Sequence, residues 1–348
     1  MRRLHPILVW AAAGLLLASL AQAQPRIGTL DFFGLHKVPE AKIRQALGVH
    51  EGDPLPPSKG DVEERLNKIP GVVESHLEAV CCENGKTILY VGIEESGAPH
   101  FDLRDAPEGN AKVPDEIASA YLNFLSAFEE AAHHASDGGG STEEDLTKGY
   151  ARMADPAVRA IQDMFPALAA KHMPELREVL HNSGDEEQRA MAAYVIGYAP
   201  DQKTAVNDLQ YALRDADAGV RANAARGLVA LAVHARLDPS SGIKVEPTWF
   251  IEMLNSLSWS DRTRALAALQ ILTDNRDPSI LEELRSRALP ALIEMARWKT
   301  LVHALPAYIL LGRIAGLPEK QIEAGWARGD RESVIAAAQK TPAGKKFP

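Results

Sequence analysis

The chain has 348 residues, and this length predicts two or three domains with at least one complete hydrophobic core. Hydrophobic residues make up 46% of it and charged residues 24%, which excludes a disordered tail protein and a polytopic membrane protein. The net charge of −9 argues against a nucleic-acid-binding protein that relies on a general basic field. Two cysteines are too few for a disulfide scaffold, and the low aromatic content of 6% favours closely packed helices over a β-sandwich.

The N-terminus has the order of a secretory signal peptide. Arg2 and Arg3 precede an apolar run from Ile7 to Leu20, which ends in the cleavage-site pattern Ala21-Gln22-Ala23. The alternative is an uncleaved anchor, but the run is shorter than the roughly 20 residues that span a membrane. We therefore predict removal of residues 1–23 and an exported, periplasmic protein without a transmembrane segment in the mature chain.

Residues 26–95 alternate between strand and helix patterns. Arg26 to Phe33 is rich in β-forming residues, and apolar stripes at helical spacing follow in 39–47 and 62–69. From Val73 to Cys81 apolar and polar residues alternate, and Asn84-Gly85 suits a two-residue turn into a returning strand. The predicted order is β-α-α-β-β.

These residues resemble the POTRA domain of periplasmic proteins, over about residues 24–96. The resemblance rests on spaced apolar and glycine positions: Ile27, Leu30, Phe32, Gly34, Val38, Ile43, Leu47, Gly52, Val62, Leu66, the turn Ile69-Pro70-Gly71-Val72-Val73, Gly85, and Leu89-Tyr90-Val91 before Glu94. It implies that the domain holds partner chains by adding a strand to an exposed sheet edge. The chain departs from the family's transporters, because it has one such module and no convincing anchor.

A three-stranded sheet covered by two helices leaves edge N–H and C=O groups that another chain can pair with. On the second predicted strand the candidate partner-binding residues are Val73, Ser75, Leu77 and Ala79. The alternative is a small spacer domain.

Cys81 and Cys82 are neighbours on this strand, so their side chains point to opposite faces. Cys81 shares the parity of Leu77, which predicts a small buried side chain, whereas Cys82 is expected to be exposed. A disulfide between them would break the strand geometry.

Residues 97–114 are rich in Pro, Gly and Asp and are predicted to form a linker. Residues 115–150 are predicted as a helical region with a break at Gly138-Gly139-Gly140. One candidate metal motif lies in this region. It is Glu130-Ala-Ala-His133, beside Glu129 and His134, and Glu-x-x-His is a spacing found in carboxylate-bridged metal sites. A solvated helix end beside the glycine-rich break is the simpler interpretation, and no metal or cofactor is predicted.

Residues 151–317 repeat a pattern. Arg189, Arg221 and Arg264 each begin an Arg-Ala-x-Ala-Ala string, at intervals of 32 and 43 residues. Such periods predict an α-solenoid of paired helices. An Asp precedes the Arg by four residues or, in the last case, by three, and it suits a helix N-cap. The predicted structural ladder consists of Asp155, Arg159, Asp185, Arg189, Asp217, Arg221, Asp261 and Arg264.

These repeats resemble HEAT repeats of the short, lyase-like kind. The best copy is Asp217-Ala-Gly-Val220-Arg221 followed by Ala224-Ala225-Arg226-Gly227-Leu228. The resemblance implies stacked antiparallel helices that bind other proteins. C-terminal helices and a tail are expected over 318–348.

The insertion from Ala235 to Pro247 lengthens one repeat, and insertions in solenoids form loops on one face. Trp249 and Trp259 lie nearby and are candidate contact residues, although filling of the core is the alternative for both.

The sequence contains none of the common hydrolase, nucleotide-binding or zinc-protease motifs. We therefore predict a small α+β domain followed by an all-α solenoid, acting as a non-enzymatic periplasmic adaptor that binds envelope or outer-membrane proteins. The alternatives are an envelope enzyme or metal-binding helical protein, and a self-assembling spacer. The sequence leaves the oligomeric state open.

Overall fold

A computed structural model describes residues 25–83, 85–136 and 143–342. Four predicted features lie outside the described residues: the signal peptide, Asn84 of the turn, the triple glycine and the last six residues of the tail. The chain forms a small mixed sheet with two helices, followed by a helical-repeat region. This is the predicted fold class.

The N-terminal domain has the predicted order β-α-α-β-β. Its elements are β1 (Ile27–Phe33), α1 (Glu40–Leu47), α2 (Lys59–Asn67), β2 (Val72–Glu83) and β3 (Lys86–Glu95). α1 ends at Gly48, whose φ of 73° is in the left-handed region that favours glycine. Ser58 caps α2 by accepting from the Asp61 N–H.

The sheet has the order β1-β3-β2, with β1 parallel and β2 antiparallel to the central strand. The outer side of β1 is covered at its start, because Ile27 N–H donates to Asp53 O at 2.9 Å and Gly52 N–H donates to Ile27 O at 2.7 Å. Both β1 and β2 are edge strands of the described sheet, and the loop covers only the start of β1.

The two faces of the sheet enter two different cores. One face packs Leu30, Leu89 and Val91 against Ile43 and Leu66 of the two helices. The other face packs Phe33, Ile88 and Tyr90 into the core of the helical region. Because successive side chains of a strand point to opposite faces, β3 contributes to both cores.

After the sheet come a long helix and a short hairpin, followed by the repeats. Their bounds are α3 (Asp115–Ser136), β4 (Glu144–Asp145), β5 (Arg152–Met153), α4 (Pro156–Gln162), α5 (Phe165–Asn182), α6 (Glu186–Ile196), α7 (Gln202–Ala212), α8 (Ala218–Leu237), α9 (Thr248–Met253), α10 (Trp259–Leu272), α11 (Pro278–Ala296), α12 (Leu301–Ile314), α13 (Glu319–Ala327) and α14 (Arg331–Lys340), with a 3₁₀ turn at Pro239–Ser241 in the insertion.

The helices from α5 onward form antiparallel pairs, α5/α6 through α13/α14, and the second helix of each pair packs on the second helix of the next. Gly227 permits one of these contacts, since a Cβ there would lie 2.8 Å from Leu209 Cδ1 and 3.3 Å from the Gly197 Cα. The predicted caps Asp155, Asp185 and Asp217 accept N–H groups at the starts of α4, α6 and α8.

Residues 96–114 carry neither a helix nor a strand and run along the loops between paired helices. Arg104 N–H donates to Arg214 O at 2.7 Å, at the α7–α8 loop. Farther on, Gly184 N–H donates to Gly109 O at 2.7 Å, at the α5–α6 loop. The segment thus connects the sheet, which lies over the later repeats, to α3, which lies against the first.

Within the described ranges, no helix combines the length and apolar character that a membrane span requires.

Candidate binding surfaces

The N-terminal sheet is docked on the solenoid through Tyr90. Its ring stacks on Trp259 with centroids 5.1 Å apart and meets Trp298 at 5.0 Å. Its hydroxyl lies 2.7 Å from His303 Nδ1. Burial raises the pKa of Tyr90, so the phenol stays protonated and remains available as a hydrogen-bond donor.

Polar contacts surround this aromatic centre. Glu294 Oε1 accepts the Gly34 N–H at 2.8 Å, and Asp31 Oδ2 accepts the Lys299 N–H at 2.8 Å. Glu78 of β2 accepts from Ser258 and Ser260 at the start of α10. These groups fix the sheet on the α9–α10 and α11–α12 loops.

Both predicted contact tryptophans are therefore used inside the molecule. Trp259 packs under the sheet, and Trp249 of α9 lies beneath the Arg214 guanidinium at 4.5 Å from the ring centroid. Both rings are half-buried and pack against the core of the helical region, as the core-filling alternative expects.

The predicted edge residues of β2 divide into two kinds. Val73 is 55% exposed and Ala79 is exposed, whereas Ser75 and Leu77 are buried under α2. Ser75 Oγ donates to Asn67 Oδ1 at 2.6 Å. Only Val73 and Ala79 therefore present side chains to an incoming strand.

Glu63 of α2 reaches this edge. Its Oε1 accepts the Leu77 N–H at 2.7 Å, which shows that odd-numbered residues of β2 direct their backbone groups away from β3. Sequence reasoning missed Glu63, because a glutamate on a predicted helix carries no local signal of such a contact.

Cys81 and Cys82 are both exposed and are joined as a disulfide. The expected burial of Cys81 is wrong, and the expectation that a bond between the two cysteines breaks the strand geometry agrees with the register here. The register of β2 against β3 shifts between Val80 and Glu83, so the cysteines do not lie in the regular strand that the alternation predicted.

Buried arginines link successive repeats. Arg189 pairs with Asp215 through two bonds of 2.9 Å, and Arg221 pairs with Asp261 at 2.8 Å. The partner of Arg189 is thus Asp215, while Asp185 is the cap of α6, as predicted. Both guanidiniums are almost fully buried, so the pairs are structural.

Arg264 is not part of this ladder, and its assignment is corrected. Each ladder arginine donates to the carbonyl six residues before it: Arg159 to Met153, Arg189 to Ser183, Arg221 to Asp215 and Arg262 to Ser256. In α10 the residue in this position is therefore Arg262, which also pairs with Glu294 at 3.3 Å. Asp261 is likewise an acceptor inside α10 and not its cap, because the helix begins at Trp259.

Arg264 instead lines an open groove of about 560 Å³, called here the α3 groove. Its lining residues come from α3, the β4–β5 hairpin, α6, α8 and α10: Tyr121, Phe124, Leu125, Phe128, Glu144, Met153, Tyr194, Ala222, Asn223, Arg226 and Arg264. The groove combines an aromatic wall with two arginines, and sequence reasoning did not find it because these residues come from five separate elements.

The two arginines differ in their surroundings. Arg226 binds Glu144 at 2.8 Å and lies 4.9 Å from the centroid of the Tyr194 ring. Burial opposes its charge, but Tyr198, Tyr194 and Glu144 together raise its pKa. Arg264 forms no hydrogen bond or ion pair with any residue that the structure describes, and burial lowers its pKa.

Glu130 and His133 lie near the end of α3, as predicted. Over the described part of the chain no three His, Cys, Asp or Glu side chains come together in a way that could hold a metal ion.

The helical region matches a known family. Residues 173–239, from within α5 to the turn after α8, match the family model of HEAT repeats. HEAT repeats generally mediate protein interactions. No curated protein and no solved structure is significantly similar to the chain.

Proposed function

We propose that the protein is a non-enzymatic, exported adaptor of the bacterial periplasm. A segment of a partner protein adds as a strand to the outer edge of β2, and the solenoid supplies a second binding surface. The observation that carries this proposal is the unpaired edge of β2 on a sheet that is itself fixed to the HEAT-repeat region.

The geometry favours β2 over β1 as the binding edge. Residues 52–55 already cover the start of β1, whereas β2 has an outward row of backbone groups, of which the Leu77 N–H is bonded to Glu63. Unpaired groups on an edge strand give an added strand its main-chain hydrogen bonds, and the exposed Val73 and Ala79 give it side-chain contacts.

Two further arguments support the envelope setting, and a third supports a binding role. The predicted signal peptide directs the chain to export. The resemblance of residues 24–96 to POTRA domains implies strand addition, and members of that family serve outer-membrane protein assembly. The absence of recognisable catalytic motifs in the sequence favours binding over catalysis.

Photo-crosslinking in the native cells tests the edge. Benzoylphenylalanine placed at Val73 is expected to capture a second polypeptide. The same probe at Leu237, which is 56% exposed against 55% for Val73 but lies at the end of α8, is expected to capture none.

The variant Ala79→Pro provides the matched test of mechanism. Its N–H points outward by the same alternation as that of Leu77, so proline removes an edge donor without breaking a β2–β3 bond. Loss of the Val73 crosslink in the folded variant supports strand addition, and an undiminished crosslink refutes it.

Export has its own test. Residues 1–30 fused to alkaline phosphatase, which becomes active only outside the cytoplasm, are expected to give an active enzyme. An inactive fusion that is present at full length would refute the periplasmic location.

A further inference from the structure

We propose that the α3 groove binds a peptide segment in which an Asp or Glu lies beside aromatic or leucine side chains, with Arg264 as the residue that pairs with the carboxylate. This inference rests on the proposed role in protein binding and names the chemistry of the partner at a second surface.

Arg264 has no directly bonded acid among the described residues. The two acids that act on it electrostatically are Asp261 and Glu78. Asp261 is engaged by Arg221 and Ser256, and Glu78 is engaged by Ser258 and Ser260. A partly buried guanidinium has lost some of its water, so an external carboxylate gains more from pairing with it than from pairing with an exposed arginine.

The wall beside Arg264 is apolar and open. Tyr121, Phe124, Leu125 and Phe128 follow helical spacing and lie on one face of α3. Leu125 is 41% and Phe128 is 37% exposed, which are large values for side chains of this kind. Exposed apolar side chains that cluster around a groove mark an interaction site.

The charge and the wall together select the ligand. In a peptide with an acidic residue between apolar residues, the carboxylate pairs with Arg264 and the flanking apolar side chains pack on α3. The groove is open to solvent, and its lining includes the polar Asn223, which donates to Ala190 O at 2.9 Å. This arrangement suits a polypeptide better than a fatty acid, whose chain requires an enclosed apolar tunnel.

The test is selection of a phage-displayed library of random heptapeptides on the full mature chain. We expect enrichment of Asp or Glu next to Phe, Trp or Leu, and binding of the selected peptide that falls about tenfold when its acid is changed to the amide. A selection on Arg264→Met is expected to lose the acid preference and keep the apolar one. Leu125→Ser is expected to weaken the binding of the acidic peptide and of its amide variant to the same extent.

Arg236→Met is the matched control, since this exposed arginine at the end of α8 pairs with Asp274 and does not line the groove. The proposal is overturned if no peptide is enriched, if the enriched peptides lack acids, if Arg264→Met selects the same sequences, or if oleate binds the groove more tightly than the best peptide. The melting temperature of each variant verifies its fold. These results are independent of the Val73 crosslink, so the proposal for the groove and the proposal for the sheet edge are tested separately.

Discussion

The ring of Tyr90, on the central strand of the N-terminal sheet, stacks on the indole of Trp259 at the start of α10, with 5.1 Å between their centroids. This pair joins two parts of the chain that the sequence presents as separate domains. The sheet is therefore not a freely swinging module. A partner strand bound at β2 is held at a fixed position relative to the repeats.

Truncation of this contact should release the sheet. Trp259→Ala is expected to cost about 3 kcal/mol of stability, because it removes most of a packed indole from the interface. The released sheet should expose residues 96–114 to proteases, so limited proteolysis is expected to cut there faster than in the parent chain. Trp326→Ala, which disturbs the contact with Tyr308 near the C-terminus, serves as the control. Equal cleavage of residues 96–114 in both variants would contradict the docking role.

The sequence predicted the local parts of the fold and missed the contacts between distant parts. Strand alternation and helical stripes are set by neighbouring residues, so the β-α-α-β-β order and the repeats could be read directly. The stacking of Tyr90 on Trp259 depends on the path of the whole chain, and no periodicity reports it. The core-filling alternative stated for Trp259 describes its packing, but the sequence did not indicate that Tyr90 is the residue it packs against.

The error at Arg264 has a different cause. The recurring Arg-Ala-x-Ala-Ala string placed Arg264 in line with Arg189 and Arg221. The feature that sets the ladder is instead the distance from the helix cap, because Asp185, Asp217 and Ser258 each precede a ladder arginine by four residues. The spacing of three between Asp261 and Arg264 was the signal in the sequence that this copy is out of register.

The docking of the sheet should weaken in mild acid through His303. Burial lowers the pKa of His303 below its ordinary value of 6.5, so the folded state favours the neutral ring. Neutral Nδ1 accepts the Tyr90 hydroxyl, and protonation removes that acceptor. A histidine with a lowered pKa contributes stability that is complete above pH ~6.5 and is lost as the pH falls through the folded pKa.

Melting temperatures of the parent chain and of His303→Gln, measured from pH 7.5 to pH 5, test this expectation. Gln does not titrate, so the difference between the two proteins should shrink as the pH falls. His76 and His100 are present in both proteins and cancel from the comparison. A difference that stays constant over this range would show that His303 does not titrate at the contact.

Glu63 should protect the edge of β2. Glu63→Ala removes the acceptor of the Leu77 N–H and is expected to cost about 1 kcal/mol. It also leaves one more backbone donor free for another strand, so we expect stronger capture at Val73 or greater self-association. Light scattering over a range of concentrations, together with the crosslink yield, measures both. Glu64→Ala, which changes the adjacent exposed glutamate, should alter neither, and identical behaviour of the two variants would refute the protective role.

Arg262 and Arg264 lie two residues apart on α10 and offer a direct test of the ladder. Arg262 is buried, donates to Ser256 O at 2.6 Å and pairs with Glu294, so Arg262→Met leaves a carbonyl and a carboxylate without their donor. We expect this change to cost about 3 kcal/mol of unfolding free energy in urea denaturation. Arg264→Met breaks no bond within the described chain and relieves an unpaired, partly buried charge, so its stability should stay within about 0.5 kcal/mol of the parent. The reverse order of stabilities would restore Arg264 to the ladder and remove the free charge on which binding in the α3 groove depends.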